Sequence, residues 1–208
     1  MTPTELNDAL ANAVAEADVP DVERLLADGA SPHHQDTAWK RGMVELAVLG
    51  AGFGERDNDR RRPVERAALV RLLVARGAPL EATSTIDPRR SSVLHSAARL
   101  DLPEAAQALI DAGADVNAQD ANGCSVLDVV TPWEKNRDWF RTSMVRLLLE
   151  AGADPHRPSG RGPTPAQILT DWSAEAARLI AEYDARQLTK SLKEPGTGAK
   201  RTPSATRL

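Results

Sequence analysis

SSVLHSAARLDLPEAAQALIDAGADVNAQDANG, residues 91–123, holds two short apolar runs separated by a proline and closed by a glycine. The first run carries Val93, Leu94, Ala97 and Ala98 and the second ends on Leu109 and Ile110, a spacing that puts each set on one face of a helix. Between them, Asp101-Leu102-Pro103-Glu104 reads as a helix start: an aspartate cap, a proline whose missing N–H costs nothing in a first turn, and a carboxylate at the positive end of the dipole. Gly113 then follows the second run, where a left-handed C-terminal cap favours a residue with no Cβ.

Working outward, the same closing pattern returns as DVERLLADGASPHH (21–34), ALVRLLVARGAPLEA (68–82) and MVRLLLEAGADPHR (144–157), with a weaker copy at AARLIAEYDA (176–185). Gly29, Gly77, Gly113 and Gly152 each precede an alanine and follow an apolar run supplied by Leu25 and Leu26, by Leu69, Leu72 and Leu73, by Leu109 and Ile110, and by Leu147 to Leu149. Asp18-Val19-Pro20-Asp21 repeats the helix-start signal, and Pro63 with Glu65 does so before the second of these runs. Helix pairs of this kind cannot cover their own apolar faces, so neighbours must stack to close the core.

Residues 91–123 resemble the ankyrin repeat, whose pattern opens T-P-L-H-x-A-A and closes L-L-x-x-G-A-D-V-N-A before a β-turn. Ser92, Val93, Leu94, His95, Ala97 and Ala98 fill the opening, and Gly113, Ala114, Asp115, Val116, Asn117 and Ala118 complete the close. Twelve residues lead from Gly113 to Ser125 and from Gly152 to Thr164; Gly77 leads to Ser92 with three more, and Gly29 to Arg41, where RGMVELA replaces the usual opening. Glycine separations of 48, 36 and 39 exceed the ankyrin period of about 33 residues, and the excess falls largely in insertions at 50–63 and 131–141, between the two helices of their repeats. These two insertions are expected to project from one edge.

The resemblance implies an all-α solenoid over residues 1–185, with about five helix-turn-helix repeats near 5–36, 37–84, 85–120, 121–159 and 160–185 and β-turn tips between them. The first and last repeats are expected to act as polar caps. In the family, the histidine of the opening bonds the backbone of adjacent turns, which assigns His95 a structural role; Val44, Asp128 and Gln167 are the equivalents in that register. A function also follows by resemblance: binding another protein through the concave face and the turn tips at 35–40, 85–90, 119–122 and 157–161. Trp39, Lys40, Arg41, Arg89, Arg90, Gln119, Asn122, Arg157 and Arg161 are the expected contact residues, with Trp39 as anchor. A dedicated inhibitor or immunity protein blocking one enzyme is the alternative, the insertions then being specificity loops.

Composition agrees with a helical repeat. Hydrophobic residues make up 41% of the 208 but aromatics only 3%, so the core must be aliphatic and close-packed. The net charge of −4 is uneven: residues 186–208 hold six Lys or Arg against one Glu, a basic tail expected to be disordered and solvated, on a body of about −9. The first residues lack the basic and apolar blocks of a signal peptide, and no apolar stretch reaches the ~20 residues of a membrane span. With a single cysteine there is no internal disulfide, and the cytoplasm is the expected compartment. A monomer is expected.

Chemistry is not expected. His33, His34 and His156 fall in distant repeats and Cys124 has no second cysteine nearby, so no metal or other cofactor is implied. Cys124, after Asn122-Gly123, reads as an accessible turn residue with no histidine in register to activate it. The glycines of 50–54 lack the Lys-Ser/Thr of a phosphate loop, and Arg60 to Arg62 are offset by Glu55, Asp57 and Asp59, so neither nucleotide nor nucleic-acid binding is expected. Trp133, Trp139 and Phe140 are expected to pack the second insertion onto the solenoid. No nucleophile, base and oxyanion donors fall in register, so the chain reads as a non-enzyme.

Overall fold

A computed structural model describes residues 1–37, 40–50, 62–80, 89–131, 141–160 and 162–193. Among them are nine α-helices and no strand beyond isolated bridges. The helices are α1 (Pro3–Ala15), α2 (Val19–Ala27), α3 (Met43–Leu49), α4 (Pro63–Ala75), α5 (Val93–Leu100), α6 (Pro103–Asp111), α7 (Thr142–Glu150), α8 (Pro165–Trp172) and α9 (Ala174–Lys193). An inner row packs α1 on α3, α3 on α5 and α5 on a single 3-10 turn, Asp128–Val130; an outer row packs α2 on α4, α4 on α6, α6 on α7 and α7 on α9. This is the stacked helix-pair solenoid expected from the repeats.

One apolar layer runs the length of the stack. Leu10, Leu25, Leu46, Leu69, Leu73, Leu94, Leu109, Leu127, Leu148 and Leu169 are fully buried, joined by Met43 and Met144 and by alanines such as Ala97, Ala105 and Ala108 that let the helices approach closely. Each outer helix before the last ends alike. Gly29, Gly77, Gly113 and Gly152 take φ of 99°, 86°, 96° and 97°, and the following alanine N–H reaches back to Leu25, Leu73, Leu109 and Leu148. This is the Schellman geometry that only glycine enters without strain, which is why the closing glycine recurs.

The openings show how each inner helix starts. Thr2, Ser92 and Thr164 are N-caps in reciprocal capping boxes with Glu5, His95 and Gln167. Ser125 and Asp128 make the same exchange, Asp128 Oδ2 accepting from Ser125 N at 2.7 Å and from its hydroxyl at 2.8 Å. In that repeat the helix stops after one 3-10 turn. Thr131 is already extended (φ −76°, ψ 137°), as a residue preceding a proline must be, and Pro132 follows it in the sequence.

Four expectations need correction. The second repeat opens on Gly42 rather than Arg41, so Glu45, not Val44, is the equivalent of His95; the extra residue lies between Asp36 and Arg41, where the third tip has one fewer between Asp120 and Cys124. Asp101 does not cap α6: it is the left-handed residue (φ 57°) that ends α5, and Leu102 is the N-cap. Cys124 is buried, with its N–H donating to Asp120 Oδ1 at 2.9 Å. Residues 186–193, assigned by sequence to a disordered tail, continue α9. They are good helix formers without Gly or Pro, and Lys190 and Lys193 complement the negative end of the dipole. Most of both insertions (51–61 and 132–140, with Trp133, Trp139 and Phe140) and residues 194–208 lie outside the described residues.

Candidate functional site

At each junction between repeats the chain leaves an outer helix, turns, and re-enters on an inner helix, so the turns line up along one edge. Isolated antiparallel bridges close three of them, Gln35 with Gly42, Gln119 with Ser125 and Ser159 with Gly162. Neighbouring turns are also bonded to each other. Ala121 N donates to Arg89 O at 2.7 Å and Gly160 N to Gly123 O at 3.0 Å, while Gln119 Nε2 donates to Gly123 O at 3.1 Å and to Pro158 O at 3.3 Å. The second, third and fourth tips are thereby tied into one hydrogen-bonded ladder. Its tightest point is Gly160, where a Cβ would fall on the Asn122 carbonyl, 2.7 Å from its carbon.

Buried polar groups hold the tips from beneath. His95, fully buried, sits between two of them: its Nε2 contacts the Cys124 carbonyl oxygen at 3.1 Å, and since that oxygen only accepts, Nε2 carries the proton. Nδ1 is then the acceptor for Ser92 N at 3.2 Å and its hydroxyl at 2.7 Å. Burial pushes the ring's pKa below its ordinary value, and the bond to the carbonyl offsets this only in part. Asp120 accepts from the N–H groups of Asn122 and Cys124, at 2.8 and 2.9 Å. Asp36 plays the same part in the first tip, accepting from Arg41 N at 2.6 Å.

Arg41 differs from its expected role. It is 2% exposed, and its guanidinium binds Asp36 Oδ2 at 2.9 Å and donates to Gly50 O at 3.0 Å. A side chain committed in this way fastens the tip to the end of α3 and has no surface to offer a partner. Among the other expected contacts, Lys40, Arg89, Arg90, Gln119 and Asn122 are exposed, although the Gln119 amide serves the ladder. Arg157 is half-buried and donates to Asn117 O at 2.8 Å. Trp39 and Arg161 lie outside the described residues.

Sequence reading missed the arginines that clamp helices of the same or neighbouring repeats together. Arg141, just before α7, donates to the carbonyls of Ala98 (2.8 Å) and Arg99 at the end of α5. Arg62, just before α4, reaches Glu16 O and Ala17 O past the end of α1 at 3.4 Å, and buried Arg66 donates to Ala47 O at 2.7 Å. In each case a cation meets the unpaired carbonyls and negative dipole at a helix C-terminus. A shared signal was present: Arg62 and Arg141 both stand at the end of an insertion, immediately before an outer helix.

The tips also repeat a backbone conformation. Two residues before each inner-helix N-cap, Lys40, Arg90, Gly123 and Gly162 all have positive φ, of 53°, 50°, 72° and 108°. Glycine is the relaxed occupant of that position, and two of the four turns use a basic residue instead.

The inner helices offer much less surface. All seven residues of α3 are buried, Glu45 included, and in α5 the run from Val93 to Ala98 is buried, Ser96 included. Among the described residues no three His, Cys, Asp or Glu are grouped to hold a metal ion, and no helix is long and apolar enough to cross a membrane.

Comparison with known proteins agrees with the fold. The ankyrin-repeat family model matches residues 90–121. The chain is 34% identical over 116 residues to the neurogenic locus Notch protein of Drosophila melanogaster, an alignment covering 52% of this chain and 4% of that protein. It is 37% identical over 112 residues to human neurogenic locus notch homolog protein 2, covering 53% and 4%. Human ankyrin repeat and SOCS box protein 6 is 32% identical over 147 residues, covering 67% of this chain and 30% of that protein. The chain thus spans well under two thirds of the length of these relatives. Capping boxes at the openings, left-handed glycines at the closes, a buried histidine bridging two turns and these matches agree on one assignment: residues 90–121 are an ankyrin repeat, and the described helices form an all-α ankyrin-type repeat solenoid.

Proposed function

We propose that the chain is a non-catalytic binding protein that holds a partner protein along its row of turn tips. The observation that carries this reading is the contrast between the two surfaces available to an ankyrin repeat. Side chains on α3 and α5, which would line a concave face, are nearly all buried, whereas Lys40, Arg90 and Asn122 stand exposed, the last two on tips whose backbone is fixed by the ladder. A rigid, pre-ordered edge loses little entropy on binding, so a few polar contacts there are worth more than on a mobile loop. Ankyrin repeats in general bind other proteins, which supports the class of partner.

Site-specific photo-crosslinking in the native cell tests the placement. A benzophenone side chain at Asn122 should give a discrete protein adduct, and one at Arg71 on the exposed face of α4 should not. Equal yields from both positions, or none from Asn122, would remove the tips as the binding edge.

A further inference from the structure

Among the described tip residues the charge is sorted; Asp87, in the second tip, lies outside them. Two acids belong to the described tips, Asp36 and Asp120, and both are buried, at 7% and 8% exposure, with their oxygens directed at N–H groups of their own turns. The charged side chains left exposed there are Lys40, Arg89 and Arg90, all basic, on a chain whose net charge is −4. Among the described residues neither Lys40 nor Arg90 has a side-chain hydrogen bond or ion pair, so their charge is available to a ligand.

Their backbone adds a second, independent observation. Lys40 and Arg90 hold the left-handed position that Gly123 and Gly162 fill in the other turns. A side chain there is strained where glycine would not be, and strain of this kind persists at binding positions because the side chain is needed. Both strained residues are basic, and they lie on neighbouring tips.

Resting on the reading that the tips bind protein, we propose that the partner segment is acidic and extended, lying across the first and second tips with its carboxylates on Lys40 and Arg90. Guanidinium and ammonium groups pair with carboxylates through charge-assisted hydrogen bonds, and a rim of one sign steers an oppositely charged partner into register. A nucleic acid presents anions too, but its continuous phosphate array would also face the acidic body of the chain, whereas a short protein segment need touch only the tips.

The test uses the full chain and a fluorescent Glu-rich peptide at physiological salt, with a Lys-rich peptide and a single-stranded RNA oligonucleotide as comparison probes. The Glu-rich peptide should bind and the Lys-rich one should not. In the double variant Lys40→Gly/Arg90→Gly its affinity should fall by about tenfold while the melting temperature stays equal to or rises above that of the parent, because glycine relaxes both turns. A purely structural role for these residues predicts the reverse pairing. Arg71→Ala, which removes one positive charge far from the tips, should leave peptide binding unchanged; Arg90→Gln supplies a charge-only variant should glycine disturb the turn. Failure of the Glu-rich peptide to bind, equal affinity in the double variant, an equal loss in Arg71→Ala, or tighter binding of the RNA would each overturn the acidic-partner assignment. None of these would affect a crosslink formed from Asn122, and loss of that crosslink would remove the tip reading itself.

Discussion

Substituting Gly160 by alanine tests whether the turn tips form one ladder or merely lie side by side. A Cβ at this position would land on the Asn122 carbonyl, 2.7 Å from its carbon and 3.2 Å from the Gly123 carbonyl carbon, where contacts under 3.0 Å force something to move and the obstacle is backbone. The fourth tip must therefore withdraw, which breaks the bond from Gly160 N to Gly123 O (3.0 Å) and that from Gln119 Nε2 to Pro158 O (3.3 Å). Two such bonds contribute about 1–3 kcal/mol together, and holding the tip in place instead would cost about 1–3 kcal/mol in overpacking, so the expected loss is about 1–3 kcal/mol either way. For a domain of this size that lowers the melting temperature by about 2–12 °C. Urea and thermal unfolding followed by far-UV circular dichroism measure it, with Gly162→Ala as comparison. That residue has nothing within 4 Å of a Cβ, so its substitution introduces only the left-handed strain, worth about 1–2 kcal/mol. A change below about 0.5 kcal/mol in Gly160→Ala would refute the reasoning.

Three further substitutions follow from the same contacts. Asp36→Ala leaves the buried Arg41 guanidinium without its carboxylate and should cost about 3–5 kcal/mol in urea unfolding, as removing one member of a buried pair does. Arg141→Ala should lose about 1.5–3 kcal/mol, because its contacts to the end of α5 are short and half-buried, whereas Arg62→Ala, with exposed or part-buried contacts at 3.4 Å, should lose under about 1 kcal/mol; equal losses would show that the two arginines are not doing the same job at different strengths. His95 gives a pH test. Its folded-state pKa lies below the unfolded value near 6.5, so above that pH both states are neutral and the contribution is complete. As pH falls below about 6.5 the unfolded chain takes up the proton first and stability declines, by up to about 1.4 kcal/mol per pH unit. Comparing wild type with His95→Asn between neutral and mildly acidic pH isolates this slope, and parallel curves would show that the ring is not held neutral.

The sequence made the repeat legible because two of its physical requirements demand particular residues. A left-handed helix end calls for glycine, so Gly29, Gly77, Gly113 and Gly152 stand out, and a buried hydrogen-bond bridge between turns calls for a side chain that both donates and accepts, which His95 supplies. Where the requirement is looser the reading slipped. Gly42 offers no capping side chain, and with the usual opening absent the register of the second repeat moved by one residue, which put Val44 in place of Glu45 and made Arg41 look like a surface residue. Arg62 and Arg141 each cap a helix of the preceding repeat across 42 to 46 residues of sequence, and their only local signal is position, at the end of an insertion just before an outer helix; Arg66 reaches α3 of its own repeat, 19 residues back. Lys40 and Arg90 were named for their charge, but nothing in their neighbours' identities reports a positive φ.

That last point separates two roles along the same edge. At the tips, Asp36, Asp120, His95 and Gly160 are fixed by what lies beneath or beside them, and changing any of them should damage the scaffold first. Lys40 and Arg90 make no side-chain hydrogen bond or ion pair among the described residues and sit in a conformation that disfavours them. Stability therefore gives no reason for their presence, and glycine, already used at Gly123 and Gly162, would serve the fold at least as well. A residue that the fold would rather replace, repeated with the same charge on two adjacent turns, is the pattern on which the proposal of an acidic partner rests.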